Sequence, residues 1–343
     1  MKERFYTNER EEHGRLQDIL AMRYPAVSVG TLRRLMNSGR VLVNGYRGTR
    51  NQKLKLGDVI EIEFDEELVR ETKPKPAEIE VLYEDARCLV INKPAGIAVV
   101  PERDAREYPM MSGLMHYLQH DSPHATGKPV RTMIVHRLDK DTTGALLIAK
   151  GVDAMRFYTQ QFSERSVEKE YLAVVRGNPP DELQVNDPLT GKGVRRGRVV
   201  VNRHTGRQAE TLIRVEEAFR GFALVRAFPK TGRRHQVRVH LRSAGFPIIG
   251  DPLYSGTRHH PDFIYLSELK RKYVPKRNVP EKPLIEHQAL HAHRLHFDTI
   301  SDSGETHRVT VEAPLPDDIV RLLKTLRKYR SAGKGTPLGI AQD

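Results

Sequence analysis

The chain has 343 residues, of which 38% are hydrophobic and 29% charged, with a formal net charge of +13 and a pI near 9.7. That length allows one large domain and a small one, and cations in this excess point to a polyanionic partner, nucleic acid ahead of an anionic membrane. No apolar run reaches membrane-spanning length, the charged opening Met1 to Glu12 lacks a secretory core, and the lone Cys88 has no disulfide partner, so the expectation is a cytoplasmic monomer without membrane contact.

Residues 14–64 read as a compact unit. Leu16, Ile19 and Leu20 are spaced for one helix face, and Val29, Leu32, Leu35 and Met36 for a second, with Ser28 as N-cap and Gly39 as stop. Val41 to Val43 followed by Asn44-Gly45 signals a strand and a hairpin turn, because both turn residues tolerate positive φ. Gly57-Asp58 makes a further turn, and Val59 to Phe64 alternates as a strand. Arg33, Arg34, Arg40, Arg47, Arg50, Lys53 and Lys55 decorate this unit. The text Ser28-Val29-Gly30-Thr31-Leu32-Arg33-Arg34-Leu35-Met36, then Gly39 to Gly45, then Leu56-Gly57-Asp58-Val59-Ile60, resembles the small RNA-binding domain of ribosomal protein S-four, the alpha-L motif. The resemblance implies that Arg33, Arg34, Arg40 and Arg47 contact RNA. The plainer alternative is a solvated charged face on a small α+β domain.

Residues 65–78, with Lys73-Pro74-Lys75-Pro76, read as an extended linker. A second domain is expected over 79–328. Ile79 to Tyr83, Cys88 to Asn92, Ala145 to Ala149, Tyr171 to Val175, Val199 to Val201, Thr211 to Val215 and Phe222 to Phe228 read as strands. Ala154 to Phe162 and Gly232 to Ser243 read as helices, the first with Phe157, Tyr158 and Phe162 inward. Strands with few interposed helices, and no regular βαβ alternation, predict an α+β fold with a largely antiparallel sheet. Residues 255–286 read as a basic insertion with one short helix over Leu266 to Lys272, and 329–343 as a disordered tail.

The stretch Val135-His136-Arg137-Leu138-Asp139-Lys140-Asp141-Thr142-Thr143-Gly144 places a carboxylate between cations on a loop feeding the apolar strand. Neighbouring cations favour the ionised acid. By itself this fits a surface loop in which Asp139 caps a turn. The same text resembles the signature of RluA-type RNA pseudouridine synthases, with Thr143 where the family usually has Ser. Three other stretches agree in order: Val90-Ile91-Asn92-Lys93-Pro94-Ala95-Gly96; Val167-Glu168-Lys169-Glu170-Tyr171-Leu172-Ala173-Val174-Val175; and Thr231-Gly232-Arg233-Arg234-His235-Gln236-Val237-Arg238-Val239-His240 continuing to Gly250-Asp251-Pro252-Leu253-Tyr254.

The resemblance implies that Asp139 is the catalytic carboxylate, that Arg238 pairs with it, and that Tyr171 faces the uracil ring. It extends the substrate site to His136, Arg137, Thr142, Lys169 and Val237, with Arg137 filling the space left by an extruded base. The reaction breaks the ribose bond to uracil nitrogen and remakes it to carbon five, so the base must leave its stack. Attack on the ribose, attack on the ring and proton abstraction from the sugar all remain open for Asp139. No cofactor is expected, since neither redox change nor group transfer is involved.

Arg234, Arg238 and Arg242 are four residues apart and predict one cationic row on a helix, with Arg234 and Arg242 on RNA; a solvated face is the alternative. Lys93 is a further candidate for phosphate. His287, His291, His293 and His296 cluster in sequence, but with one cysteine in the chain no metal site is expected. The expected partner is RNA, large-subunit ribosomal RNA ahead of tRNA. The rival readings are a non-catalytic RNA-binding or ribosome-assembly protein on the same fold and a glycosidase-like hydrolase, which needs two working carboxylates.

Overall fold

The structure, a computed structural model, describes residues 2–8, 11–24, 27, 29–64, 78–99, 109–125, 132–191, 198–256, 262–274, 279–301 and 303–332. Ser28 as N-cap, the linker over 65–77 and the tail from 333 onward lie outside the described residues.

The N-terminal unit has a four-stranded antiparallel sheet against two helices. Its elements are β1 (Lys2–Tyr6), α1 (Leu16–Arg23), α2 (Val29–Asn37), β2 (Val41–Val43), β3 (Tyr46–Arg47) and β4 (Val59–Glu63), with strand order β1-β4-β2-β3. The first strand precedes the expected start at residue 14; its alternating burial, exposed and half-buried, was hidden by charge. Asn44 and Gly45 take positive φ, 53° and 81°, and turn β2 into β3 as their side chains predict. Leu16, Ile19, Leu20, Leu32, Leu35, Met36, Val41, Ile60 and Ile62 form one buried core. Each such side chain contributes roughly 1.5–3 kcal/mol, whereas an exposed ion pair such as Lys2–Glu63 contributes about 0–1 kcal/mol. The apolar stripes therefore hold this unit, and its surface arginines contribute little to the fold.

The larger unit is built on a ten-stranded sheet. Its strands are β5 (Val81–Glu84), β6 (Cys88–Lys93), β7 (Thr132–Ile134), β8 (Thr143–Lys150), β9 (Glu168–Arg176), β10 (Glu182–Val185), β13 (Thr211–Phe219), β14 (Phe222–Pro229), β15 (Leu290–Ile300) and β16 (Thr306–Glu312). The order is β10-β13-β14-β9-β15-β8-β6-β5, with β16 beside β15 and β7 beside β8. Among the described strands only the short β15–β8 contact is parallel. A separate two-stranded ribbon joins β11 (Leu189–Thr190) to β12 (Val200–Val201). The helices are α3 (Pro109–His116, continued by a π-helical turn Tyr117–Asp121), α4 (Val152–Glu164), α5 (Gln236–Ser243), α6 (Leu266–Leu269) and α7 (Asp317–Arg330). The fold is α+β with a largely antiparallel sheet.

Two features of this sheet position the site. At the β15–β8 junction Gly144 has φ +108°, and a Cβ there would stand 2.2 Å from the Ala292 carbonyl oxygen, so only glycine lets the strands approach. Helix α5 begins at Gln236 and not at Gly232, because His235 takes the left-handed conformation at φ 56°. The expected row Arg234-Arg238-Arg242 is thereby broken. Arg234 sits on the loop, Arg238 is buried and Arg242 is exposed beyond the site.

The two units touch: Arg156 on α4 binds Asp18 on α1 at 2.6 Å, and Val29 packs against the core of the larger unit.

Candidate active site

Asp139 stands on the loop between β7 and β8, and three ties fix that loop. Where β7 ends, the His136 ring accepts the Leu147 N–H through Nε2 at 2.8 Å, taking over a ladder position, and stacks on Phe162 at 4.6 Å. Burial, helped by Lys169, pushes its imidazole down to about 3, so it stays neutral and keeps the lone pair this bond needs. The Thr142 N–H donates to the Asp139 carbonyl at 3.1 Å, and Gln288 donates to Thr142 Oγ1 at 2.5 Å.

The third tie corrects an expectation. Lys93 does not reach for phosphate: it is fully buried and donates to the carbonyls of Pro94, Ile97 and Lys140 at 2.7, 2.9 and 2.8 Å. Burial lowers its ammonium to about 8 against the pull of Asp141 and Asp139. It pins the Asp139 loop to the end of β6.

The opposite wall comes from β14 and α5. Gln236 fixes the helix start: its Oε1 accepts from Thr231 Oγ1 and the Arg233 N–H, and its amide donates to the Glu210 carbonyl and Thr211 Oγ1. Arg238, in the first turn, is 4% exposed. Its Nε and Nη2 donate to the Asp251 carboxylate at 2.7 and 2.8 Å, and its Nη1 donates to Asp139 Oδ2 at 2.7 Å. Asp251 is wholly buried and also accepts the N–H groups of Leu253 and Tyr254. Burial works against the Arg238 charge, but Asp251 first and Asp139 second raise its pKa. The forked pair leaves the guanidinium one direction in which to point, and that direction is Asp139.

His235 lies beside the same acid. Its Nε2 is 3.7 Å from Asp139 Oδ1 and its Nδ1 is 2.7 Å from Tyr254 Oη. Burial lowers it to about 4, against the opposing pull of Asp139, so it is neutral at physiological pH. The Tyr254 ring sits 5.0 Å from the Arg238 guanidinium.

Between these walls is a cleft of about 480 Å³. Asp139, Arg238, Tyr171, Arg137, His136, Val237, Thr142, Lys169 and Arg234 all line it. Arg242 does not. Lys230, Arg233 and Arg165 also line it and were not singled out from sequence, and among the described residues Asp139 is the sole carboxylate of the lining. Burial and Asp139 push the Tyr171 hydroxyl up, so it stays protonated. Burial, with nearby Arg165, brings the Lys169 ammonium down to about 8.

The arginines of the N-terminal unit lie apart from the cleft. Arg33 and Arg34 are exposed and, among the described residues, hydrogen-bond the neutral side chains of Gln17 and Thr31. Arg40 is half-buried, and Arg47 donates to the Met36 carbonyl at 3.3 Å and to that of Asn37, closing the end of α2. The four histidines near β15 are separately engaged: His287 with Asp318, His291 with Thr143 and the Ala313 carbonyl, His293 with Glu312, His296 with Thr310 and Glu170. Among the described residues no group of three His, Cys, Asp or Glu side chains is placed to hold a metal.

The profile of the RNA pseudouridylate synthase family matches residues 87–243, a span that holds both Asp139 and Arg238, and the S4 domain profile matches residues 14–60. A Neisseria meningitidis serogroup A protein named ribosomal large subunit pseudouridine synthase D is 34% identical over 92% of this chain and 79% of its own length. The chain belongs to the RNA pseudouridylate synthase family. A Pseudomonas aeruginosa protein of the same name is 33% identical over 94% of both chains. The solved structure of human RNA pseudouridylate synthase domain containing 4 superposes with a TM-score of 0.56 at 28% identity, over 72% of this synthase and 93% of the human chain.

Asp251, the buried partner of Arg238, is the site residue that reading the sequence passed over. It stood in the quoted Gly250-Asp251-Pro252 text, but an acid before proline reads as a turn. Only burial without other cations reveals it as the anchor of Arg238.

Proposed function

We propose that this synthase isomerises uridine to pseudouridine in large-subunit ribosomal RNA, in the cytoplasm and as a monomer, with Asp139 as the catalytic carboxylate. The observation that carries the assignment is the fork Asp251–Arg238–Asp139, which holds Oδ2 of an Asp139 side chain that lines the cleft. The names of the bacterial relatives support the ribosomal target over tRNA. A single carboxylate in the lining supports isomerisation over hydrolysis, which calls for a flanking pair of acids.

In this reading residues 79–328 form the catalytic domain, 65–78 the linker and 14–64 the domain that anchors RNA. A uridine is drawn from its stack at a cost of about a few kcal/mol, offset by phosphate contacts to the cationic rim. Arg137, exposed at the cleft mouth, takes the vacated space in the RNA. Tyr171 faces the ring and positions it for loss of the proton from carbon five, its own hydroxyl staying protonated. His136, Thr142, Lys169 and Val237 shape the pocket, while Arg33, Arg34, Arg40, Arg47, Arg234 and Arg242 meet RNA outside it. No cofactor takes part.

The test is to map pseudouridines in total RNA from cells with the gene, without it, and with Asp139→Asn. A large-subunit site lost in both altered strains is the expected result. Sites lost only from tRNA, or sites retained with Asp139→Asn, would sink the target or the catalytic assignment respectively.

A further inference from the structure

Tyr254 divides the cleft from a second depression. On one side its ring meets Arg238. On the other lies a groove of about 310 Å³, floored by Val199, Val239, Leu253 and Tyr254 and rimmed by Arg198 and Arg242. Among the described residues no acidic side chain lines it. Arg242 is exposed and has no carboxylate partner among the described residues, and Arg198 donates to the Leu253 carbonyl. An apolar floor between two cations matches a nucleotide, which offers a flat, weakly polar ring face and one anion. Arg242 follows Arg238 by one helical turn, about 6 Å along the axis, so whatever binds there is a near neighbour of the cleft's occupant.

Accepting the RNA reading above, we propose that this groove holds an unpaired nucleotide of the substrate adjacent to the target uridine, with its base on the apolar floor and its phosphate on Arg242 and Arg198. The groove connects directly to the reacting acid. The Val199 N–H donates to Tyr254 Oη at 2.8 Å, Tyr254 Oη meets His235 Nδ1 at 2.7 Å, and His235 Nε2 stands 3.7 Å from Asp139 Oδ1. A base pressed on Val199 and Tyr254 therefore bears on the side chains that surround Asp139. The neighbouring nucleotide is thus read as a condition for turnover as well as a source of affinity.

The test uses stem–loop RNA oligonucleotides carrying the mapped target uridine, each with one flanking nucleotide replaced by an abasic ribose. With the wild-type chain, one flanking position should raise KM about tenfold when its base is missing, and lower kcat as well. Arg242→Glu, which expels the phosphate, should abolish that position-specific penalty, while Arg242→Lys retains it. Thermal melting and circular dichroism of Arg242→Glu and Arg242→Lys that match the wild-type chain report that the fold persists. An abasic penalty of the same size in wild type and Arg242→Glu at every position would overturn the proposal. Failure of the wild-type chain to form pseudouridine in any RNA would instead sink the reading on which it rests.

Discussion

The cleft and the N-terminal unit use arginine in opposite ways. In the cleft, Arg238 is buried, spends two of its donors on Asp251 and has its last direction chosen for it. In the N-terminal unit, Arg33 and Arg34 are exposed and have only neutral side-chain partners among the described residues. A guanidinium that must orient a reacting carboxylate is worth most when it cannot move. One that must follow an irregular phosphate backbone is worth most when it can. The same side chain is a fixed strut in one region and, if Arg33 and Arg34 meet RNA as proposed, an adaptable contact in the other, and the neighbouring acid decides which.

The sharpest way to break this contrast is to remove the acid that the strut serves. Asp139→Asn should bring pseudouridine formation to background, a loss of at least about a thousandfold, while RNA affinity changes little; release of tritium from uridine labelled at carbon five measures it. Next in size is the strut itself. Asp251→Asn keeps the volume but loosens the fork, and a misplacement of this kind should lower kcat about a hundredfold with KM nearly unchanged. An equal rise in KM would show that Arg238 binds substrate as much as it orients Asp139.

The other side of the comparison predicts the reverse signature. Removing residues 1–64 should raise KM about tenfold, leave kcat within about twofold, and flatten the salt dependence of binding by about 0.7–0.9 in log–log slope for each phosphate that the shortened chain no longer neutralises. A kcat collapse would mean that the Asp18–Arg156 contact shapes the cleft.

The smallest effect falls on Lys169, which belongs to neither extreme. It is half-buried, and its ammonium has no carboxylate partner among the described residues. With its pKa lowered to about 8, it carries its charge below that pH and loses it above, so RNA binding should weaken from pH 7 to pH 9, by about threefold in KM. Lys169→Arg should flatten this profile, since guanidinium stays charged throughout. The stability sign is also fixed. Between about 8 and the ordinary lysine pKa the unfolded chain holds a proton that the folded one lacks, so this group makes stability rise with pH across that window.

Much of the site was legible because its chemistry is local in sequence. The 135–144 loop and the Arg233 to Arg238 stretch each carry several polar residues that no ordinary core would choose. The strands β6, β8 and β14 were plain from their apolar runs. What was hidden depends on partners far along the chain. Lys93 looks like a surface cation until three carbonyls are found converging on it. β15, the longest strand, alternates histidine and arginine with apolar residues, and its polar half is explained only by Glu170, Thr143 and Glu312 on its neighbours. α7 was missed although Ile319, Leu322, Leu323 and Leu326 make a clear helical stripe. The early start assigned to helix α5 shows local preference losing to tertiary need, since Gln236 must sit where Thr231 and Thr211 can hold it.

The hydrogen bonds from Thr142 to Gln288 and from Thr143 to His291 span 146 and 148 positions of chain. Contacts of such high order close late, because a long loop must surrender its entropy before they return anything. During synthesis the acid-bearing loop is made with Lys93 and His136 already beside it, yet Gln288 and His291, which also brace it, are added about 145 residues later. Competence to modify RNA should therefore wait for that segment to emerge, and a chain truncated before Gln288 should keep its small N-terminal unit and its affinity for RNA with no turnover.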